Sequence, residues 1–300
     1  MYGLESIKRL AQSVWMAARG TVDDVLYERI PPSFLIIGTQ KGGTNSLFTY
    51  LANHPQVLPS TEKEVNFFNS DGRYARGTKF YHTYFPHKTP QFANKLTFEG
   101  TPAYLRRADK VASRIYDYNP AMKLIALLRN PIDRAFSAWQ MYRRYYQQNS
   151  NWFFDWMEQF ESELPKDMFV RRTTDFGENF EQDIRNELEL FERDQMTEMP
   201  ILDGGHYFRQ LQHFVRLFEK QQILIMQSER FFSETLSELQ RVEAFLTLNP
   251  HSWSHDQLKP QFGGGYENEM SEFARCLLGE FYQRENALLY GLIGTDYNWS

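Results

Sequence analysis

A single cysteine, Cys276, among 300 residues leaves no intramolecular disulfide to form. A chain of this length that folds without one reads as a protein of a reducing, cytoplasmic compartment. No run of roughly 20 apolar residues is present, and the N-terminus has no apolar core of a signal peptide, so neither a transmembrane segment nor a secretory leader is expected. Positive charge is not in excess: 33 Lys and Arg stand against 38 Asp and Glu, a net charge of −5. That excludes a general nucleic-acid binder, whose footprint is a surplus of cations, and makes any anion site a local one. No His, Cys and carboxylate cluster has the spacing of a zinc site, so no metal is expected.

What is present is apolar and aromatic. Hydrophobic residues make up 42% of the chain and aromatics 16%, enough to bury a large core. Leu4, Ile7, Leu10, Val14, Trp15 and Ala18 recur at helical spacing and Gly20 closes the pattern, which predicts an amphipathic leader helix within residues 1–30, packed on the chain's own core or else laid on a membrane surface or a partner. Residues 31–300 contain no linker, repeat or low-complexity tract and read as a single domain. Within it, residues 149–200 are rich in aromatics and charge with weak periodicity, as expected of a helical insertion bordering a cleft.

The short apolar run over 33–37 ends in Gly38, followed by a loop and a helical pattern over 44–53. A helix over 110–118, a buried strand over 122–128 and a helix over 131–147 repeat the theme. A strand at 223–226 follows, with helices at 206–219 and 234–246 on either side. Strands alternating with helices predict an α/β fold, a P-loop-like three-layer α/β/α arrangement around a central, mainly parallel sheet.

The segment Gly38-Thr-Gln-Lys-Gly-Gly-Thr-Asn-Ser46 lies between strand and helix, where backbone N–H groups and the helix dipole converge on an anion. Gly42 and Gly43 allow close backbone approach, Lys41 adds a charge, and Thr44, Asn45 and Ser46 open the helix. A nucleotide kinase would need G-x-x-x-x-G-K-[ST], but Thr44 stands where its lysine belongs and Lys41 is displaced into the loop. Such an enzyme also places an Asp after a hydrophobic strand to hold magnesium, and here the strand ends in Arg129. Arg129 and Ser137, eight residues on, could grip one phosphate together. Two anion sites on adjacent strands suit a nucleotide with phosphates at two ends, bound beyond the carboxyl ends of the sheet.

Together with Lys63-Glu-Val-Asn-Phe-Phe68, Thr101-Pro-Ala-Tyr104, Arg129-Asn-Pro, Arg134 and Trp139, these segments resemble the sulfotransferases that use 3′-phosphoadenosine 5′-phosphosulfate (PAPS), closest to the heparan sulfate N- and 3-O-sulfotransferase branch, over about residues 33–300. The stretches from Gly205 to Leu211 and from Leu278 to Asn286 are similar to that family less specifically. The resemblance implies that Lys41–Ser46 bind the 5′-phosphosulfate, that Arg129 and Ser137 bind the 3′-phosphate, and that Glu64 is the general base. It also implies the product PAP, an acceptor hydroxyl (or amine) on a glycan, glycolipid or polyketide-type molecule, and no metal requirement. A carboxylate in reach of a hydroxyl takes its proton as the oxygen attacks sulfur, and Lys41 would neutralise charge on the bridging oxygen.

The chain departs from that pattern at three places. Gly100 stands where the heparan enzymes carry a lysine, and Lys63 is expected to supply the missing charge. Asn66 replaces a histidine of the 3-O branch, and Gly263-Gly-Gly-Tyr266 replaces a cationic loop, keeping in Gly264 and Gly265 the backbone donors for the nucleotide. The pairs Arg106-Arg107, Arg143-Arg144 and Arg171-Arg172 read as solvated helix faces, and Tyr142, Tyr145, Tyr146, Trp152 and Trp156 as core. The competing readings are a P-loop kinase using ATP and a nucleotide-binding scaffold impaired in catalysis.

Overall fold

The computed structural model describes residues 28–148, 169–170, 172, 175–197, 199–259 and 269–299. The expected leader helix, Gly264 and Gly265, and residues 149–168 of the expected insertion, with Trp152 and Trp156, lie outside the described residues.

Five strands form one sheet: β1 (Phe34–Gly38), β2 (Val57–Pro59), β3 (Leu96–Gly100), β4 (Lys123–Leu128) and β5 (Ile223–Gln227), in the spatial order β2-β3-β1-β4-β5. Every pairing is parallel, with Phe34 level with Phe98 on one side and Lys123 on the other. The expected parallel sheet is therefore present, and β1, β4 and β5 fall within a residue or two of their predicted bounds. Strands β2 and β3 were not foreseen.

The longer helices are α1 (Thr44–Ala52), α2 (Ala108–Tyr118), α3 (Pro131–Gln148), α4 (Phe180–Glu192), α5 (Tyr207–Val215), α6 (Thr235–Leu246) and α7 (Glu272–Ile293). The pattern expected to run to residue 219 stops at Val215, four residues before the predicted end. Helix α7, capped by Ser271 accepting from the Ala274 N–H, was not read as a helix from the sequence.

Side chains alternate across the central strands, so both faces of the sheet need covering. Leu35, Ile37, Leu124, Ala126 and Leu128 meet Val111 and Ile115 of α2 and Leu211 and Phe214 of α5. Phe34, Ile36, Ile125 and Leu127 meet Leu47 and Leu51 of α1 and Leu239 and Val242 of α6. A further cluster joins α3, α4 and α7 through Phe136, Trp139, Phe180, Ile184, Leu278 and Tyr282. These layers place the carboxyl ends of β1, β3 and β4 side by side, with α1 and α3 starting just beyond them.

Candidate active site

The first loop turns tightly out of β1. Thr39 donates its N–H to Leu127 O at 2.8 Å and Gly42 donates to Thr39 O at 3.0 Å, so the loop is tied to β4 and to itself. A Cβ on Gly42 would lie 2.7 Å from the Leu127 carbonyl oxygen, which is why only glycine fits. Gly43, at φ 97°, caps α1 in the left-handed region that glycine enters freely. The first N–H groups of α1 therefore face a concave backbone, with Thr44 and Ser46 buried at its base and Asn45 exposed.

Lys41 points from this loop to α3, its Nζ 3.9 Å from Met141 Sδ. Burial first, and then the neighbouring charges of Arg144, Arg129 and Arg134, lower its pKa to about 8. Cations crowded until one of them loses its proton more easily are the electrostatic signature of a site prepared for an anion. Arg129, at the end of β4, reaches the loop through Nη1, which donates to Lys41 O at 3.2 Å. Tyr207 of α5 fixes the Arg129 backbone by donating to its carbonyl at 2.8 Å. Ser137 is buried two turns into α3, and that helix is tied to the loop by Tyr142 Oη donating to Gln40 Oε1 at 2.5 Å. The two predicted anion grips thus sit on one continuous scaffold.

The segment after β2 brings Lys63 and Glu64 to the same place. Lys63 Nζ donates to Asn45 Oδ1 at 2.5 Å and stands 5.8 Å from the Phe48 ring centroid, so it bridges the segment to α1. A Cβ on Gly100 would fall 3.5 Å from Lys63 Cε, so the Lys63 stem runs over Gly100. Burial lowers the Lys63 pKa while Glu64 and Glu99 raise it. Glu64 is reached by solvent, but it lines a concavity whose walls remove most of the surrounding water. That desolvation raises its pKa, and Lys63 opposes the rise. A carboxylate poised upward is suited to accept a proton near neutrality.

The concavity is lined on one side by Thr39 and Gln40 of the first loop and on the other by Glu64, Asn66, Asn69, Ser70 and Arg73. Pro102, Ala103, Arg106, Arg107, Arg134, Tyr142, Pro200 and Gly204 complete it. The reading of Arg106-Arg107 as a solvated helix face is corrected: both line the cleft, because the helix that carries Arg106 is a single turn, Ala103–Arg106, directly after β3. Arg172 is likewise not solvated but paired with Glu187 at 2.7 Å in a nearly dry contact. Tyr142 is buried as expected, yet its hydroxyl serves the first loop.

Arg73, Arg134, Gln40 and Tyr142 were not foreseen as parts of one cleft. Arg134 is 1% exposed. Its guanidinium donates to Ile201 O and lies so flat on the backbone that a Cβ on Gly204 would be 2.7 Å from Nη1. Among the described residues no group of three His, Cys, Asp or Glu is placed to hold a metal ion.

The family model described as a sulfotransferase domain matches residues 31–275. The heparan sulfate glucosamine 3-O-sulfotransferase 5 of Mus musculus is 27% identical, over 89% of this chain and 74% of its own length. The membrane-associated sulfotransferase kil1 of Dictyostelium discoideum is 26% identical, over 89% of this chain and 66% of its own length. Among solved structures, the sulfotransferase from Alicyclobacillus acidocaldarius has the same fold, with a TM-score of 0.61 at 23% identity over 89% of this chain and 97% of that one.

Proposed function

The chain belongs to the sulfotransferase domain family, and from that premise we propose that it moves a sulfuryl group from PAPS to a hydroxyl of a polar acceptor, with Glu64 as general base. The observation that carries the proposal is that Arg129, at the end of β4, is tied to the Lys41 loop after β1, while Glu64 lines one cleft with Thr39 and Gln40 of that same loop. PAPS supplies the activated sulfuryl group and a phosphate leaving group. The first loop, with Lys41 and the N–H groups of Gly42–Ser46, holds the 5′ end, and Arg129 with Ser137 holds the 3′-phosphate. Glu64 takes the proton of the attacking hydroxyl across the cleft, and Lys41 and Lys63 balance charge that develops on the oxygens of the transferring and leaving groups. Lys63, over Gly100, does the work of the lysine that the heparan enzymes carry there.

The cleft also bears on the acceptor. Its lining of Gln40, Asn66, Asn69, Ser70, Tyr142 and four arginines is polar and cationic. It suits a polyhydroxylated molecule with an acidic group better than an apolar polyketide chain. The relatives named for heparan sulfate are consistent with a glycan, and the chain's own acceptor is to be found by screening with labelled PAPS.

Calorimetry with PAP tests the donor half. The wild-type chain binds, and Arg129→Ala weakens binding by about 1.5–3 kcal/mol, the worth of a hydrogen bond to a charged group. A chain that bound neither PAP nor PAPS would overturn the reading. Magnesium-dependent ATP turnover would replace it with the kinase.

A further inference from the structure

Directly behind Glu64, at the end of β3, lies a second carboxylate that the proposed chemistry does not use. Glu99 has no exposed surface, yet it carries three hydrogen bonds from hydroxyls. Tyr104 Oη donates to Oε1 at 2.5 Å, Tyr81 Oη donates to Oε1 at 3.0 Å, and Thr101 Oγ1 donates to Oε2 at 2.7 Å. Because each hydroxyl proton is turned inward to the carboxylate, the lone pairs of two of those oxygens face outward, where backbone N–H groups find them. Tyr104 Oη accepts from Phe67 N at 3.0 Å and from Phe68 N at 3.4 Å, and Thr101 Oγ1 accepts from Asn66 N at 3.2 Å. Three consecutive N–H groups of the segment that presents Glu64 therefore hang on oxygens whose orientation one buried carboxylate sets. The Phe67 ring, stacked on Tyr81 with centroids 4.3 Å apart, seals the arrangement from water.

A carboxylate is the one side chain that can accept from all three hydroxyls at once, because an ionised acid has only acceptor sites. An amide in its place presents donors to at least one hydroxyl, and that hydroxyl must turn its proton away, towards the N–H it now accepts from.

We propose that Glu99 is the positioning residue of this site: through the hydroxyls of Thr101 and Tyr104 it holds the backbone of Asn66–Phe68 and so fixes Glu64 opposite the first loop. The proposal rests on the reading of Glu64 as base. Burial, and then the nearby charge of Glu64, lift the Glu99 pKa to about 6 against the opposing pull of the three hydroxyl bonds. The groups facing it are Tyr81 from the helix Gly77–His82, Tyr104 from the helix Ala103–Arg106, Tyr118 from α2, and Lys63 and Glu64 from the segment itself. Glu99 takes up its proton as pH falls through about 6, and with a donor in place of an acceptor the carboxyl no longer holds all three hydroxyls, so acidification loosens the segment from within.

Two measurements on the full chain test this. Hydrogen exchange followed by mass spectrometry, corrected for the intrinsic pH dependence of exchange, reads the amides of Asn66–Phe68. They are expected to be protected at pH 7.5 and to lose protection as pH falls through about 6, while the amides of β1 keep theirs. Slow transfer of sulfate from labelled PAPS to water, which needs no identified acceptor, reads catalysis. Glu99→Gln is expected to lower kcat on the order of tenfold to a hundredfold, the cost of a misplaced catalytic group. KM for PAPS should stay within about twofold, and Glu99→Asp should recover part of kcat. Thr101→Val, which cuts one relay and leaves the carboxylate, should fall between and serves if Glu99→Gln does not fold. Exchange at 66–68 that ignores pH, or a folded Glu99→Gln with undiminished kcat, overturns the proposal. Glu64→Gln separates it from its premise: full turnover in that variant removes the base, whereas loss there with none in Glu99→Gln removes only the positioning role.

Discussion

Glu99 shows at the scale of one residue how a site can hold a cost in the native state. An acid whose folded pKa is raised from 4.5 to about 6 binds its proton more readily folded than unfolded. Its contribution to stability is thus complete below about 4.5 and is lost as pH rises through about 6. Glu64, also raised, has the same sign, while Asp71 and Glu285, both lowered, have the opposite one. The comparison with Glu99→Gln isolates the single group. Urea unfolding of the two proteins should show the wild type gaining on the order of 1–2 kcal/mol relative to the variant between pH 7.5 and pH 4.5, at about 1.4 kcal/mol per pKa unit. The proton that relieves this strain is the one that slackens the segment carrying Glu64, so activity and Glu99's contribution to stability are expected to move in opposite directions with acid. A gap that stayed constant across that range would mean the carboxyl is not held in its unfavourable charged form. Lys41 and Arg129 stood out in the sequence because each lies at a strand end or loop with its own anion chemistry, and Glu64 only through the family resemblance. Glu99 was not, since nothing in a strand sequence tells a buried carboxylate with three hydroxyl donors from an ordinary surface one.

That same residue explains what was missed among the elements. β3 reads Leu-Thr-Phe-Glu-Gly, and its Thr97 and Glu99 break the apolar run although both are fully buried. β2 is three residues long and ends in proline, below the length at which periodicity is visible. By contrast β1 and β4 are buried on both faces and announce themselves as continuous apolar runs. The loop out of β1 was legible for a different reason, since its glycines have a geometric cause. Gly42→Ala would drive its Cβ against the Leu127 carbonyl, which cannot give way because β4 is paired on both sides. The expected result is a chain that still folds around its sheet, by circular dichroism, with PAP affinity lowered at least tenfold because the N–H groups of the loop no longer converge. Unchanged affinity would mean that the loop is not where the phosphate sits.

At the scale of the whole molecule the charge is distributed against its own sum. The chain carries −5 overall, yet Lys41, Lys63, Arg73, Arg106, Arg107, Arg129 and Arg134 converge on one cleft and its two phosphate grips. A negative body with a positive cleft directs anions to one place and repels them elsewhere, and the low-dielectric walls concentrate that field. Net charge, read from composition, argued that any anion site is local; the fold shows where, by gathering the cations, and no sum over the sequence could have placed it. Arg106 and Arg107, after β3, line the cleft and serve no nucleotide phosphate in the proposed scheme, so they should act on the acceptor alone. Arg106→Ala with Arg107→Ala is expected to leave PAP affinity within about twofold. It should raise KM about tenfold, some 1.4 kcal/mol, for acceptors that carry a carboxylate or sulfate, and leave neutral sugars little changed. For the wild type, raising ionic strength from 0.05 to about 0.5 M should erase most of the preference for acidic over neutral acceptors, since the screening length then falls to about 4 Å. A double variant that lost affinity for acidic and neutral acceptors alike would place these arginines in the frame of the cleft rather than in its selectivity.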